Sequence, residues 1–321
     1  MDKSTAKGYV DGLGVLPKVP PTKADTGFGV LVALTNDERA AAATEVARAL
    51  RERRSATPYV VYVIEIGASI PEAAMVAVAL EAELRDPERR AVQEAEMKSV
   101  LHLDTGDTAK WPFSIEVGSV ASVVVEQAQN RGAELILMGL NRHAALGRAI
   151  GRDTVREVMA MGGIPVLAVR DTLTGLPKRI VVAVDFSRAS IRAAKLARRL
   201  VDDGGEIQLL FVEPGILDAG AESAEGLRLI QNKGVEAAFS ELLAELEGDG
   251  TVRISTSVLK GGSPPAEIMK FCENSRPDLI AVGSQRHRFL DRLLLGSTAR
   301  AIAADGRWSV LITPPMREEN K

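Results

Sequence analysis

Residues 139–154 read GLNRHAALGRAIGRDT and residues 283–298 read GSQRHRFLDRLLLGST. Taking 139 from 283 gives an offset of 144 residues, and six positions recur in register. They are Gly139, Arg142, His143, Leu146, Arg148 and Thr154, answered by Gly283, Arg286, His287, Leu290, Arg292 and Thr298. Such repetition at a fixed offset predicts a duplicated domain. At 321 residues the chain is too long for one ordinary core and suits two domains of about 150 residues each.

Working outward from the repeat, each copy is preceded by an apolar run, ELILMGL or DLIAVGS, and followed by another, IPVLAVR at 164–170 or WSVLITPP at 308–315. Further upstream, GFGVLVAL at 27–34 leads into a helical pattern through Ala40, Ala43, Val46, Ala47 and Leu50. Its twin RIVVAV begins at Arg179 and runs into Asp185-Phe186-Ser187, then a helix through Ile191, Ala194, Leu196, Ala197 and Leu200. Second strands follow, PYVVYVIEI at 58–66 and IQLLFVEP at 207–214. Third strands end at Gly118-Ser119 and Gly262-Ser263. Between second and third strands lie long helical inserts. In the second copy the apolar stripe is Val235, Ala238, Phe239, Leu242, Leu243 and Leu246, and in the first, residues 71–101 are expected to break near Pro87.

Five strands alternating with helices in each half imply crossover connections, and right-handed crossovers wind the chain into a parallel sheet covered on both faces. The fold class expected is therefore α/β, with two tandem five-stranded parallel domains of Rossmann type. The expected bounds are a flexible tail over 1–26, a first domain over 27–172, a linker over 173–178, a second domain over 179–315 and a tail over 316–321.

A hydrophobic fraction of 46% with only 4% aromatic residues makes Ala, Val, Leu and Ile the builders of the core. The formal charge of −3 comes from 40 basic and 43 acidic residues interspersed, which argues against a nucleic-acid backbone or an anionic membrane as partner. Cys272, the single cysteine, excludes an intrachain disulfide and any multi-cysteine metal site. The first 26 residues lack the apolar core of a secretory signal, and no run is long enough to span a membrane. The expected location is cytoplasmic.

Several chemistries find no support. The GLG at 12–14 follows no strand and is no dinucleotide fingerprint. Phosphate-loop, nucleophile-elbow and His-Glu-x-x-His patterns are missing from the sequence. Lone His102 has no companion for metal binding, and Ser187, Ser263 and Ser297 are explained as helix caps.

Ligands of such sheets bind beyond the strands' C-terminal ends, where Asp185, Gly262, Gly283 and the loop up to Ser297 should lie. Gly283 and Arg286 are followed by nine residues and then Gly296-Ser297-Thr298 at a helix start. Glycine allows close approach to the backbone, amides at a helix N-terminus point outward, and the two hydroxyls add donors for a phosphate. The same residues also fit a plain loop capped by Ser297. Asp185 could accept a hydrogen bond from an amino group or a sugar hydroxyl, or serve a local turn with Ser187.

VVAVDFS at 181–187, the strand ending DLIAVGS, and the Gly-x-x-x, nine residues, Gly-Ser-Thr arrangement resemble the universal stress protein family. The resemblance covers residues 27–170 and 178–315 as a tandem pair. It implies an adenine-nucleotide-binding α/β fold in many members, while others bind no nucleotide. It places Asp185, Val212, Gly262, Gly283, Gly296, Ser297 and Thr298 around adenosine or phosphate. Arg286 stands where the family's second glycine belongs, and either blocks the ligand's path or grips a phosphate. In the first copy Thr35 replaces the strand-end Asp, Arg142 the second glycine, and Arg152-Asp153 the Gly-Ser pair. A carboxylate at Asp153 would repel phosphates and occupy the helix dipole itself, so the first site reads as degenerate.

Three functions stay open at this point. One is a stress-response protein that binds ATP or a related adenine nucleotide in its second half. Another is an interaction protein that works without nucleotide, its phosphate subsites closed by Arg286 and by Arg142 with Asp153. The third is a slow ATPase, with Arg286 or His287 at the transferring phosphoryl and Mg²⁺ held mainly by phosphates. The resemblance also places the last strands, IPVLAVR and WSVLITPP, at a contact between domains, here within one chain, and leaves a homodimer open through other surfaces.

Overall fold

The computed structural model describes residues 28–35, 40–65, 79–80, 82–140, 152–213, 221–248, 250–284 and 296–314. In the first half these form β1 (Phe28–Leu34), α1 (Ala40–Arg54), β2 (Ala56–Ile64), α2 (Pro87–Val100), β3 (Phe113–Val117), α3 (Val120–Asn130), β4 (Leu135–Gly139), α4 (Arg152–Gly162) and β5 (Val166–Val169). The second half gives β6 (Arg179–Ala183), α5 (Arg188–Leu200), β7 (Glu206–Glu213), α6 (Ala221–Leu246), β8 (Arg253–Lys260), α7 (Pro264–Ser275), β9 (Leu279–Gly283), α8 (Ser297–Asp305) and β10 (Ser309–Thr313). All ten strands belong to one sheet in the order β3-β2-β1-β4-β5-β10-β9-β6-β7-β8. Each half is parallel throughout, and β10 meets β5 antiparallel, with Val310 opposite Ala168.

The continuous apolar runs are strands buried on both faces, and the twofold period of a strand divides them between two cores. Val30, Val32 and Leu34 of β1 face one core, and Leu31 and Ala33 the other. In β9 the same alternation sends Leu279 and Ala281 one way, Ile280 and Val282 the opposite way. The first core is closed by α1 and α5, through Val46, Leu50, Ala197 and Leu200, and by Phe239, Leu242 and Leu246 of α6. The second is closed by α3, α4, α7 and α8, through Val124, Val158, Ile268 and Ile302. Both cores draw residues from both halves of the chain.

Helix boundaries follow local chemistry. Pro87 stands in the first turn of α2, where its missing N–H costs nothing, and the Asp86 carboxylate accepts from the amides of Glu88 (2.9 Å) and Arg89 (3.4 Å). The break expected at Pro87 is thus a helix start. β2 begins at Ala56, two residues before the expected Pro58.

Beside the β5–β10 register, polar bonds connect the halves. The Arg170 amide donates to Ser309 Oγ at 3.0 Å, and its buried guanidinium donates to the Gly306 carbonyl. At the C-terminal ends of α1 and α5, Arg53 pairs with Asp202, while Arg54 donates to the Val201 carbonyl and to Asp203, each at 2.7 Å. Arg199 pairs with Glu134 at 3.1 Å and lies over the Phe28 ring. Leu173 and Leu176, in the segment expected as a linker, are buried in the first core.

Candidate functional site

After β6 the chain turns to β7 on one side of the sheet, and after β8 it crosses to β9 on the other. The order reverses between β6 and β9, and the connections leaving their C-terminal ends diverge there. A crevice at such a reversal is where open α/β sheets take their ligands. Asp185 follows β6 and Gly283 ends β9, so the two lie at this point.

The turn after β6 is a closed hydrogen-bonded unit. Asp185 Oδ1 accepts the Ser187 amide at 3.0 Å, and Ser187 caps α5 by accepting the Ser190 amide at 3.3 Å. The buried Ser190 hydroxyl accepts from the Asp185 amide (3.3 Å) and donates to the Ser187 carbonyl (3.1 Å). Phe186 sits between them with φ 57°, a left-handed conformation unusual for a bulky residue. Its ring is held against Phe211 (centroids 5.3 Å apart) and edge-on to Phe239 (5.1 Å). Asp185 itself lies exposed at the surface of this turn. Ser190 and Phe186 hold the site residue in place although spacing singled out neither. A serine three residues past the capping Ser187 was the one available signal.

Gly283 answers to packing. A Cβ built there would stand 2.5 Å from the Ser190 nitrogen and 2.7 Å from the Ala189 carbonyl carbon, so only glycine lets β9 and the start of α5 meet. Thr313, fully buried on β10, donates to the Ala189 carbonyl at 2.7 Å and fastens the same helix start. Close approach is therefore the reason for this glycine, but the partner is the protein's own helix. Val212 is buried near the end of β7. Gly262 is exposed beyond β8 with φ 77°, and a Cβ there would meet the Glu267 carboxylate.

At the start of α8, Gly296 occupies the cap position and supplies no side-chain acceptor. The expectation of Ser297 as the cap is corrected by this: Ser297 is the first helical residue, exposed, with Thr298 half-buried behind it. Among the described residues, a Cβ at Gly296 would meet nothing within 4 Å. Ser263 likewise stands at the cap position of α7 without making a side-chain cap bond, whereas Ser187 does cap its helix. A helix start whose cap residue offers no side-chain acceptor, at the positive end of the dipole, suits an anion chemically.

In the first half, Thr35 follows β1 at the matching place and is buried. Arg152 and Asp153 begin the α4 backbone, as Gly296 and Ser297 flank the start of α8. Arg142, His143, Arg286 and His287 lie outside the described residues. Among the described residues no cluster of His, Cys, Asp and Glu could hold a metal ion, and no helix is long and apolar enough to cross a membrane.

The sheet order, the reversal point and the repetition of both in one chain define a tandem doubly wound α/β protein. Residues 29–170 and 177–314 each match the Universal stress protein family. The chain belongs to the universal stress protein family, as two consecutive units. A universal stress protein of Methanocaldococcus jannaschii is 30% identical over 149 residues, covering 45% of this chain and 86% of that protein. The structure is similar to that of a universal stress protein from Archaeoglobus fulgidus DSM 4304, with TM-score 0.61 and 16% identity over 91% of this chain and all 100% of that one. A functionally unknown protein from Pseudomonas aeruginosa PAO1 superposes with TM-score 0.58 and 15% identity, covering 90% of this chain and 93% of its own.

Proposed function

We propose that the second half binds ATP or a related adenine nucleotide at the β6–β9 reversal, and that the first half is a structural partner without a ligand. On this reading the protein acts in a cytoplasmic stress response as a nucleotide-dependent binding protein, with the β5–β10 contact acting as an intrachain domain pairing. The observation that carries it is the contrast between the two equivalent helix starts. Gly296 gives α8 a cap residue with no side-chain acceptor, while the equivalent turn of α4 carries Asp153 in place of Ser297.

Asp185 and Val212 would hold the adenosine, the former by accepting a hydrogen bond at the exposed end of its turn and the latter by apolar contact. The first-turn amides of α8, with the hydroxyls of Ser297 and Thr298, would hold phosphate. Gly262 would keep the crevice floor low, Gly283 would bring the end of β9 against the start of α5 beside the ligand, and Arg286 would contribute a guanidinium to the phosphates. Any Mg²⁺ would be held mainly by the nucleotide. Mass spectrometry of small molecules released by denaturing the purified protein tests the proposal. An adenine nucleotide at substantial occupancy is expected, and a chain that releases none and shows no heat on titration with ATP would refute it.

A further inference from the structure

The two ends of the ten-stranded sheet are built differently. β3, at one end, has five residues, and the outward carbonyl at its middle is guarded. The Val60 amide donates to the Pro112 carbonyl and the Gly118 amide to Ile64, so even-numbered residues of β3 face β2 and Ile115 faces outward. That outward Ile115 carbonyl accepts the Arg90 guanidinium at 3.2 Å, and Arg90 is itself held by Glu94 (3.0 Å) and Glu116 (3.2 Å). Helix α2 thus places a charged side chain on the edge, a common device against strand addition.

β8, at the other end, has eight residues in unbroken register with β7, from Glu206 opposite Arg253 to Glu213 opposite Lys260. The Arg253 amide donates to the Gly205 carbonyl and the Gly261 amide to Glu213, so odd-numbered residues face β7. Ile254, Thr256, Val258 and Lys260 therefore turn both their N–H and C=O groups away from the sheet. Gln208 bridges Ser255 (2.8 Å) and Ser257 (3.2 Å) and keeps the strand regular. Between Arg253 and Lys260 the strand is uncharged, free of proline and rich in β-branched residues, with Val258 41% exposed.

We infer that β8 is the contact of a twofold homodimer, in which β8 of a second copy adds antiparallel with Thr256 facing its counterpart. Outward residues must face outward residues, which allows a twofold centre at Thr256. Ile254 then lies opposite Val258, Ser255 opposite Ser257 and Arg253 opposite Leu259. No like charges oppose each other. Lys260 lies opposite Val252, on the face covered by α6, whose C-terminal end carries Glu245 and is followed by Glu247. A cation there faces the negative end of the helix dipole, Glu245 itself being held by Lys195 at 2.8 Å. Centring on Ser257 instead would set Ile254 against Lys260 and lose this match. The contact is isologous, closes on itself, and makes one sheet of two chains.

Sedimentation velocity on the full chain over a range of concentrations tests this, with Thr256→Pro and Thr256→Lys alongside. The Thr256 N–H points away from β7, so proline removes an edge donor without breaking the β7–β8 ladder. The wild type is expected at twice the 34.2 kDa chain mass at the upper concentrations, and both variants at the single mass. A second readout is oxidation of a Ser255→Cys, Ser257→Cys double variant, which should cross-link into covalent dimers in which each Cys at 255 meets one at 257. The inference fails if the wild type stays a single chain throughout, or if the dimer persists unchanged in either Thr256 variant. It also fails if a dimer forms that the cysteine pair does not cross-link.

Discussion

The Oδ1 atom of Asp185 is already engaged by the Ser187 amide at 3.0 Å, so replacing this residue has two separable effects. Asp185→Asn keeps a carbonyl oxygen for the turn and removes the carboxylate, whereas Asp185→Ala removes both. Asn is expected to hold the melting temperature within about 1 °C, and Ala to lower stability by about 1 kcal/mol. Both should weaken ATP binding at least tenfold by calorimetry, while Thr35→Ala in the first half should leave it unchanged. Cys272 illustrates a different residue-scale consequence. Its thiol is fully buried, and burial pushes its pKa up to about 12. The unfolded thiol ionises from about pH 8.5, so between there and about 12 the folded state keeps a proton that the unfolded state gives up. Stability attributable to this group is thus full below that window and falls as pH rises through it. Urea unfolding of Cys272→Ala should show a shallower decline between pH 8.5 and 10 than the wild type. Spacing indicated the place of Asp185 at the end of β6. It did not reveal the packing role of Gly283, because a glycine near a strand end looks the same whether a ligand or Ser190 fills the missing Cβ's space.

At the scale of elements, the start of α8 and the edge of β3 each support a prediction. Ser297→Asp copies the first half's Asp153. An acidic residue in the first turn favours the helix dipole by about 0.3–1 kcal/mol, so stability should hold or rise. The same carboxylate repels a phosphate, so ATP affinity should fall at least tenfold; unchanged affinity would remove the phosphate from this helix. Arg90→Ala uncovers the Ile115 carbonyl and leaves the partly buried Glu116 without its cation, whose carboxyl burial already raises above the usual range. A loss of about 1–3 kcal/mol is expected, read from the shift of the urea midpoint at unchanged m-value. The strands and most helices were legible in the sequence, since the apolar runs of β1 and β9 and the stripe of α6 are local signals. The cap of α8 was not, because Gly296-Ser297 permits either residue at the cap and only backbone geometry decides. The place of β8 at the end of the sheet was equally hidden: which strand lies outermost depends on crossover order, and Arg90 reaches Ile115 from a helix in the long insert.

At the scale of the molecule, the duplication was readable from one repeated loop, but the way the halves share their interior was not. Arg53, Arg54 and Arg170 look like surface cations in sequence, yet they tie the halves together through Asp202, Val201 and Gly306. Because each core contains residues of both halves, urea unfolding should be a single cooperative transition, coincident by fluorescence and circular dichroism. Arg54→Ala, which loses the bonds to Val201 and Asp203, should move that transition lower by about 1–2 kcal/mol without splitting it. Two resolved transitions would mean the halves are energetically independent. The tandem architecture also lets two equivalent crevices diverge, one keeping Asp185 with Gly296-Ser297 and the other carrying Thr35 with Arg152-Asp153. Titration calorimetry of the nucleotide-free full-length chain with ATP addresses that asymmetry directly. Saturable binding of one ATP per chain is predicted, and a stoichiometry of two, or no binding, would contradict it.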